Sequence, residues 1–210
     1  MALEIIPFEL GPMQNNTYLL ADTETGQAVV VDPSFDSGVV LEEVKRRGWE
    51  LKAIWLTHAH FDHIAGVKNL AESSQPPLPV GLHPNDLQLF QQGGGSRNFG
   101  VQIQPGPKPS QYFDHEQVLY LGNQMIEVRH TPGHTPGHVI FYSPEAGAAL
   151  VGDLVFFHGV GRTDLPGGNL EALLHSIHTQ VMTLPHETRL LSGHGPETTV
   201  AEEKENNPYL

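Results

Sequence analysis

The heptapeptide THAHFDH, Thr57 to His63, sets three histidines and one aspartate at the end of the apolar run AIWLT, Ala53 to Thr57. The pattern predicts a buried strand over LKAIWLT that ends in a loop, and a helix that begins near Asp62 in DHIAGVKNLAES. His58 and His60 lie two positions apart, so in extended chain their rings point the same way and can grip one ion. Asp62 and His63 fall where the chain turns into a helix and can face a second ion nearby. Four ligating side chains at one strand–helix junction therefore predict a metal site that two ions share.

Zinc bound through nitrogen and oxygen at a catalytic site generally takes three protein ligands and keeps a position for water, so each ion needs ligands from elsewhere. Three candidates stand at the ends of predicted strands. His134 lies in HTPGHTPGH, Asp153 closes AALVGD, and His194 sits in LLSGHGPE. A glycine precedes each of them, which lets the backbone approach a metal without a side chain in the way. The chain holds 13 histidines. His83, His115, His130, His158, His175, His178 and His186 are read as surface or hydrogen-bonded residues, and His138 as a structural hydrogen-bonding residue rather than a rival to His134.

Composition narrows the chemistry. Cysteine is absent, which excludes disulfides, thiolate nucleophiles and zinc–thiolate sites. The formal charge of −13, from 24 acidic and 11 basic residues, opposes nucleic-acid binding. The N-terminal MALEIIPFEL lacks a signal-peptide pattern, and no apolar run reaches the roughly 18 residues of a membrane span. A cytoplasmic protein with no membrane partner is expected. The 210 residues fit one domain, 1–210.

Strands are expected at LEIIPF, TYLLA and AVVVD, with Tyr18 to Val31 forming a hairpin. A helix is expected from Ser37 to Arg47, stopped by Gly48. Residues 93–113 are rich in glycine and proline and are read as a long loop, with an active-site loop and an ordinary surface loop as the two alternatives. QVLYL, QMIEVRH, HVIFYS and AALVGD follow as strands. Leu170, Leu173, Leu174, Ile177 and Val181 share a helical face, and a strand at TRLLSG precedes a short polar tail. Two strand-rich groups, each with helices, predict an α/β fold of two sheets packed face to face with helices outside.

Taken together, THAHFDH, TPGHTPGH, VGD and SGHGP, in that order, resemble the metallo-β-lactamase fold superfamily. The resemblance implies an αββα sandwich of two mixed β-sheets with the site along one edge. It implies that His58, His60 and His134 hold one metal, that Asp62, His63 and His194 hold the other, and that Asp153 bridges them. It also implies that Asp32 supports the ligand loop from behind, as metal-bound histidines require. GRTDLPGG, residues 161–168, is similar to the stretch after the bridging aspartate in glyoxalase II-like hydrolases and persulfide dioxygenases. The ending GHGPETTVAEEKENNPY resembles the short bacterial glyoxalase II-like group, in which the C-terminal helical glutathione-binding domain is missing.

The resulting expectation is a hydrolase of small thioesters, with S-D-lactoylglutathione the first candidate. Two divalent ions, zinc first with iron or manganese as alternatives, would share a bridging hydroxide that attacks the thioester carbonyl. Asp62 and Asp153 are the catalytic carboxylates. Arg162 is a candidate contact for a substrate anion; its competing assignment is an arginine that pins its own loop to Asp164. The alternative activity is a mononuclear iron persulfide dioxygenase, with a lactonase or a non-catalytic metal-binding module behind it.

Overall fold

Val29, Val30 and Val31 are all buried, yet they belong to two different cores. Alternate residues of a strand point to opposite faces, so an unbroken apolar run marks a strand covered on both sides. Val29 and Val31 face inward with Tyr18, Leu20 and Trp55, whereas Val30 faces outward with Leu19, Ile54 and Leu56. The same alternation separates Phe141 and Leu191, which join the inner layer, from Ile140 and Leu190, which do not. Three apolar layers stacked in this way require two sheets between two helical faces.

The computed structural model describes residues 3–210, and Met1 and Ala2 lie outside the described residues. The first sheet runs in chain order through β1 (Leu3–Leu10), β2 (Asn15–Asp22), β3 (Gln27–Val31), β4 (Glu50–Trp55), β5 (Val80–Leu82) and β6 (Gln111–Tyr112). The second is built from β7 (Val118–Leu121), β8 (Gln124–His130), β9 (Val139–Ser143), β10 (Ala148–Gly152), β13 (Arg189–Ser192) and β14 (Thr198–Thr199). Its spatial order is β14-β13-β10-β9-β8-β7. A small hairpin, β11 (Val155–Phe156) with β12 (Gly159–Val160), lies apart. Both large sheets are mixed: β3 and β4 pair parallel, as do β10 and β13, while β1 with β2 and β8 with β9 pair antiparallel. Trp55 stacks on Phe141 at 5.4 Å between ring centroids and ties the sheets together.

Helices α1 (Gly38–Arg47), α2 (Phe61–Ile64), α3 (Val67–Ala71) and α4 (Leu87–Gln91) cover the first sheet. α5 (Leu170–Ser176), its π-helical continuation Ile177–Val181, and α6 (Val200–Asn206) cover the second. The expected αββα sandwich is the fold observed. No helix among the described residues is long and apolar enough to cross a membrane.

Several local expectations are corrected. The helix expected to run on from Asp62 is two short helices that break at Ala65 and Gly66. A Cβ at Gly66 would lie 1.8 Å from Ser37 Oγ, so this contact with the preceding loop leaves room for glycine alone. The polar tail contains α6, capped by the Thr199 side chain, which accepts from Glu202 N. The 93–113 segment is less irregular than expected: it holds a 3-10 turn at Ser96–Phe99 and all of β6.

Candidate metal centre

Asp32, the THAHFDH loop, His134, Asp153 and His194 all follow directly on, or close behind, the C-terminal ends of strands. β3 and β4 bring the first two together, β8 the third, and the parallel pair β10 and β13 the last two. In an open α/β arrangement this is the edge at which loops are free to converge.

Asp32 organises the loop. Its backbone sits at φ +50°, an uncommon conformation for a residue with a side chain. Its carboxylate accepts from Thr57 N at 2.7 Å and Thr57 Oγ1 at 2.5 Å, and faces His63 Nδ1 at 3.0 Å. That last contact orients the ring and turns Nε2 toward the centre, where a metal would take the place of its proton. His134 is oriented the same way, with Nδ1 donating to the Arg162 carbonyl at 2.8 Å. His194 Nδ1 donates to the Met13 carbonyl at 3.0 Å.

The free ring nitrogens then crowd together. His134 Nε2 lies 2.8 Å from His60 Nδ1 and 3.2 Å from His58 Nε2. Beside this group, His194 Nε2 lies 3.1 Å from Asp62 Oδ2, and His63 Nε2 lies 3.8 Å from the same oxygen. In each trio the donor atoms fall within 4.8 Å of one another. Asp153 stands between them, with Oδ1 3.2 Å from His63 Nε2 and Oδ2 3.6 Å from His134 Nε2 and 3.7 Å from His194 Nε2. Asp32, His58 and His63 form a third such group, but the Asp32 carboxylate is already engaged by Thr57 and His63.

Charge shows that this arrangement suits a cation. Burial, reinforced by neighbouring histidines, pushes His58 well below the ordinary imidazole pKa and His60 down to about 3, and burial also lowers His134. These three rings are neutral donors. Burial opposes ionisation of Asp62 and Asp153, yet His63 together with His194, and for Asp153 also His134, outweighs it and both are lowered. His63 is raised well above its usual value despite its own burial, because Asp153 and Asp62 face it. Although 3.2 Å apart, buried His63 Nε2 and Asp153 Oδ1 have no aligned hydrogen-bond partner among the described residues. Such groups normally have one, and a divalent cation would satisfy both.

The strand-end glycines fit the same picture. A Cβ at Gly193 would lie 2.2 Å from Asp153 Oδ1, and one at Gly152, which has φ +48°, would lie 2.5 Å from Thr57 Oγ1. His138 is kept apart: its Nδ1 meets Thr131 Oγ1 at 2.8 Å and its ring stacks on His58 at 5.3 Å. The remaining histidines join no donor group among the described residues. Of the two assignments for Arg162, the ion pair is the contact present, with Nε and Nη2 each 2.7 Å from a different Asp164 oxygen.

Sequence reading missed Asp86. It is buried, and its carboxylate accepts from Ala59 N at 3.0 Å, Thr135 Oγ1 at 2.7 Å and Gly137 N at 2.7 Å. One side chain therefore links the loop bearing His58 and His60 to the loop bearing His134. The short motif HPND carries no metal-site signature. Its only available signal is an aspartate beside the turn-forming residues Pro84 and Asn85.

The centre opens into a cleft of about 380 Å³ lined by His60, Asp62, His134, Asp153 and His194 on its floor. The family model described as the metallo-beta-lactamase superfamily matches residues 10–194. The hydroxyacylglutathione hydrolase GloC of Haemophilus influenzae is 34% identical over 212 residues, spanning 100% of this chain and 98% of that protein. Among solved structures, the BLEG-1 B3 metallo-β-lactamase superposes with a TM-score of 0.92 at 37% identity, covering 99% of each chain. TTHA1623, solved in a di-iron-bound form, superposes with a TM-score of 0.87 at 40% identity, covering 98% of this chain and 100% of its own.

Proposed function

Because the chain belongs to the metallo-β-lactamase superfamily, we propose that its His/Asp centre makes it a dinuclear metal hydrolase of small thioesters. The reference reaction is glyoxalase II-like, S-D-lactoylglutathione to D-lactate and glutathione, carried out in the cytoplasm. The observation that carries this reading is the pair of donor groups joined by Asp153 on the floor of one cleft. In it His58, His60 and His134 would hold one ion and Asp62, His63 and His194 the other, with Asp153 shared between them. When bound, the ions would acidify a shared water and polarise the substrate carbonyl. Zinc suits these nitrogen and oxygen donors, and iron or manganese is compatible with them.

The chain's own groups have separable tasks. Asp62 borders the cleft and is ionised, so it takes the proton of the attacking water. His63 is oriented by Asp32, and His134 by the Arg162 carbonyl. Water adds across the C–S bond: the acyl carbon gains the hydroxyl and the sulfur leaves with a proton.

The test combines metal analysis with anaerobic kinetics. Fully loaded protein is expected to hold about two ions per chain and to release thiol in step with thioester loss without oxygen. One ion per chain, or oxygen uptake with glutathione persulfide and no thioester cleavage, overturns the reading in favour of the dioxygenase. Faster turnover of a β-lactam than of any thioester overturns it in favour of the chemistry named for BLEG-1.

A further inference from the structure

Above its polar floor, the cleft is walled by Met13, Phe61, Phe99, Phe156, Val160 and Leu165. Two of these are unusually open for large apolar side chains, Met13 at 45% and Phe99 at 43% exposure. Phe99 is held in place rather than splayed into solvent. Its ring lies 5.1 Å from that of Phe61, which packs edge-on against Phe35 at 6.3 Å. The turn that carries it is seated directly on the ligand loop, since Phe61 N donates to Gly94 O at 3.1 Å. A Cβ at Gly94 would lie 2.3 Å from Phe61 N, so nothing larger than glycine allows this approach.

The wall offers little to an anion. Arg162 is the only lysine or arginine lining the cleft among the described residues, and Asp164 already neutralises it through bonds to its Nε and Nη2. The whole chain carries a formal charge of −13, which repels anionic substrates at long range. A glutathione moiety has two carboxylates against one ammonium. To bind here it would leave them unpaired beside aromatic rings, and unpaired charge on an apolar surface is costly.

We infer that the preferred substrates are thioesters of a neutral thiol bearing an apolar or aromatic acyl group, which the Met13, Phe61, Phe99 and Phe156 wall receives. This rests on the thioesterase reading and specifies its substrate class. A pocket contact of one methylene is worth roughly 10- to 200-fold in discrimination, so an aromatic acyl group gives a readable preference.

The metal-loaded protein is tested two ways. Kinetics compare S-phenylacetyl-N-acetylcysteamine with S-D-lactoylglutathione, and calorimetry compares the uncleavable thioethers S-phenethyl-N-acetylcysteamine and S-methylglutathione. The neutral aromatic member is expected to lead by at least about tenfold in both. Phe99→Ala is expected to narrow that ratio, and Met13→Arg, at an exposed side chain, to shift it toward the glutathione compound. Equal or better binding of the glutathione thioether overturns the inference and leaves the thioesterase reading standing. Cleavage of neither thioester, with the binding preference intact, defeats the thioesterase reading while upholding the apolar occupant.

Discussion

The two donor groups lie side by side but are built differently. His58, His60 and His134 are neutral imidazoles in a buried setting, braced by Thr57, Asp86 and the Arg162 carbonyl. Asp62, His63 and His194 combine a carboxylate with two rings drawn toward protonation, and the His194 side chain is 27% exposed. The loop bearing His194 is held by the Asn16 side-chain amide, which donates to Ser192 O and Gly195 O, by the Met13 carbonyl, by Tyr18 OH donating to Ser192 O, and by backbone bonds from Asn16 N to Gly193 O and from Gly193 N to Gly152 O. The first group is preorganised by packing and selects by geometry. The second has one anionic donor, Asp62, two rings on which protons compete with a metal, and a more open ligand, so it is expected to exchange its ion faster.

The largest effect should come from the residue the groups share. Asp153→Ala is expected to lower kcat/KM by about 10³-fold or more, because both groups lose their common oxygen donor. Metal content and kinetics measured on the same sample check this, and full loading with near-normal turnover would mean that the groups do not depend on each other. Next come the single-group variants. His60→Ala and His194→Ala should each retain about one ion, and titration against a competing chelator should find the ion in His194→Ala held more tightly. Equal affinities would erase the proposed difference.

Asp86→Asn sharpens the comparison further. It keeps the shape of the cross-link but turns an acceptor of three hydrogen bonds into a group that must also donate. A fall of about 10- to 100-fold in affinity at the imidazole group is expected, in line with the loss of other outer partners of metal ligands. The mixed group should be affected less, and an equal loss at both would show that Asp86 supports the fold as a whole. The smallest effect is Arg162→Ala. Exposed ion pairs contribute little, so Tm should hardly move, whereas a tenfold rise in KM for S-D-lactoylglutathione would reassign this guanidinium to substrate.

The ligand cluster was legible because its chemistry is concentrated: four donors within THAHFDH, and three more after glycines at strand ends. Both sheets were legible for a similar reason, since doubly buried strands such as AVVV have an unmistakable composition. Asp86 was not legible, because its three partners lie 27, 49 and 51 positions away and are defined only by the folded loops. β5 is three residues long and carries no period to detect. α6 was a different kind of omission. Thr199 and Glu202 have capping-box spacing, and the Thr199 cap is present, but the polar composition of the segment hid its apolar anchor, fully buried Val200.

The distribution of donors along the chain also bears on how the protein acquires its metal. His58, His60, Asp62 and His63 are sequence neighbours, whereas His134 joins His58 across 76 positions and His194 joins Asp62 across 132. A nascent or denatured chain therefore already carries a compact chelating peptide, long before the second sheet has formed. Binding to the unfolded ensemble offsets ligand-induced stabilisation, so a given metal concentration should raise the unfolding midpoint by less than native-state affinity alone implies. The same peptide gives the folding chain a way to capture an ion early and to close the remaining ligands around it.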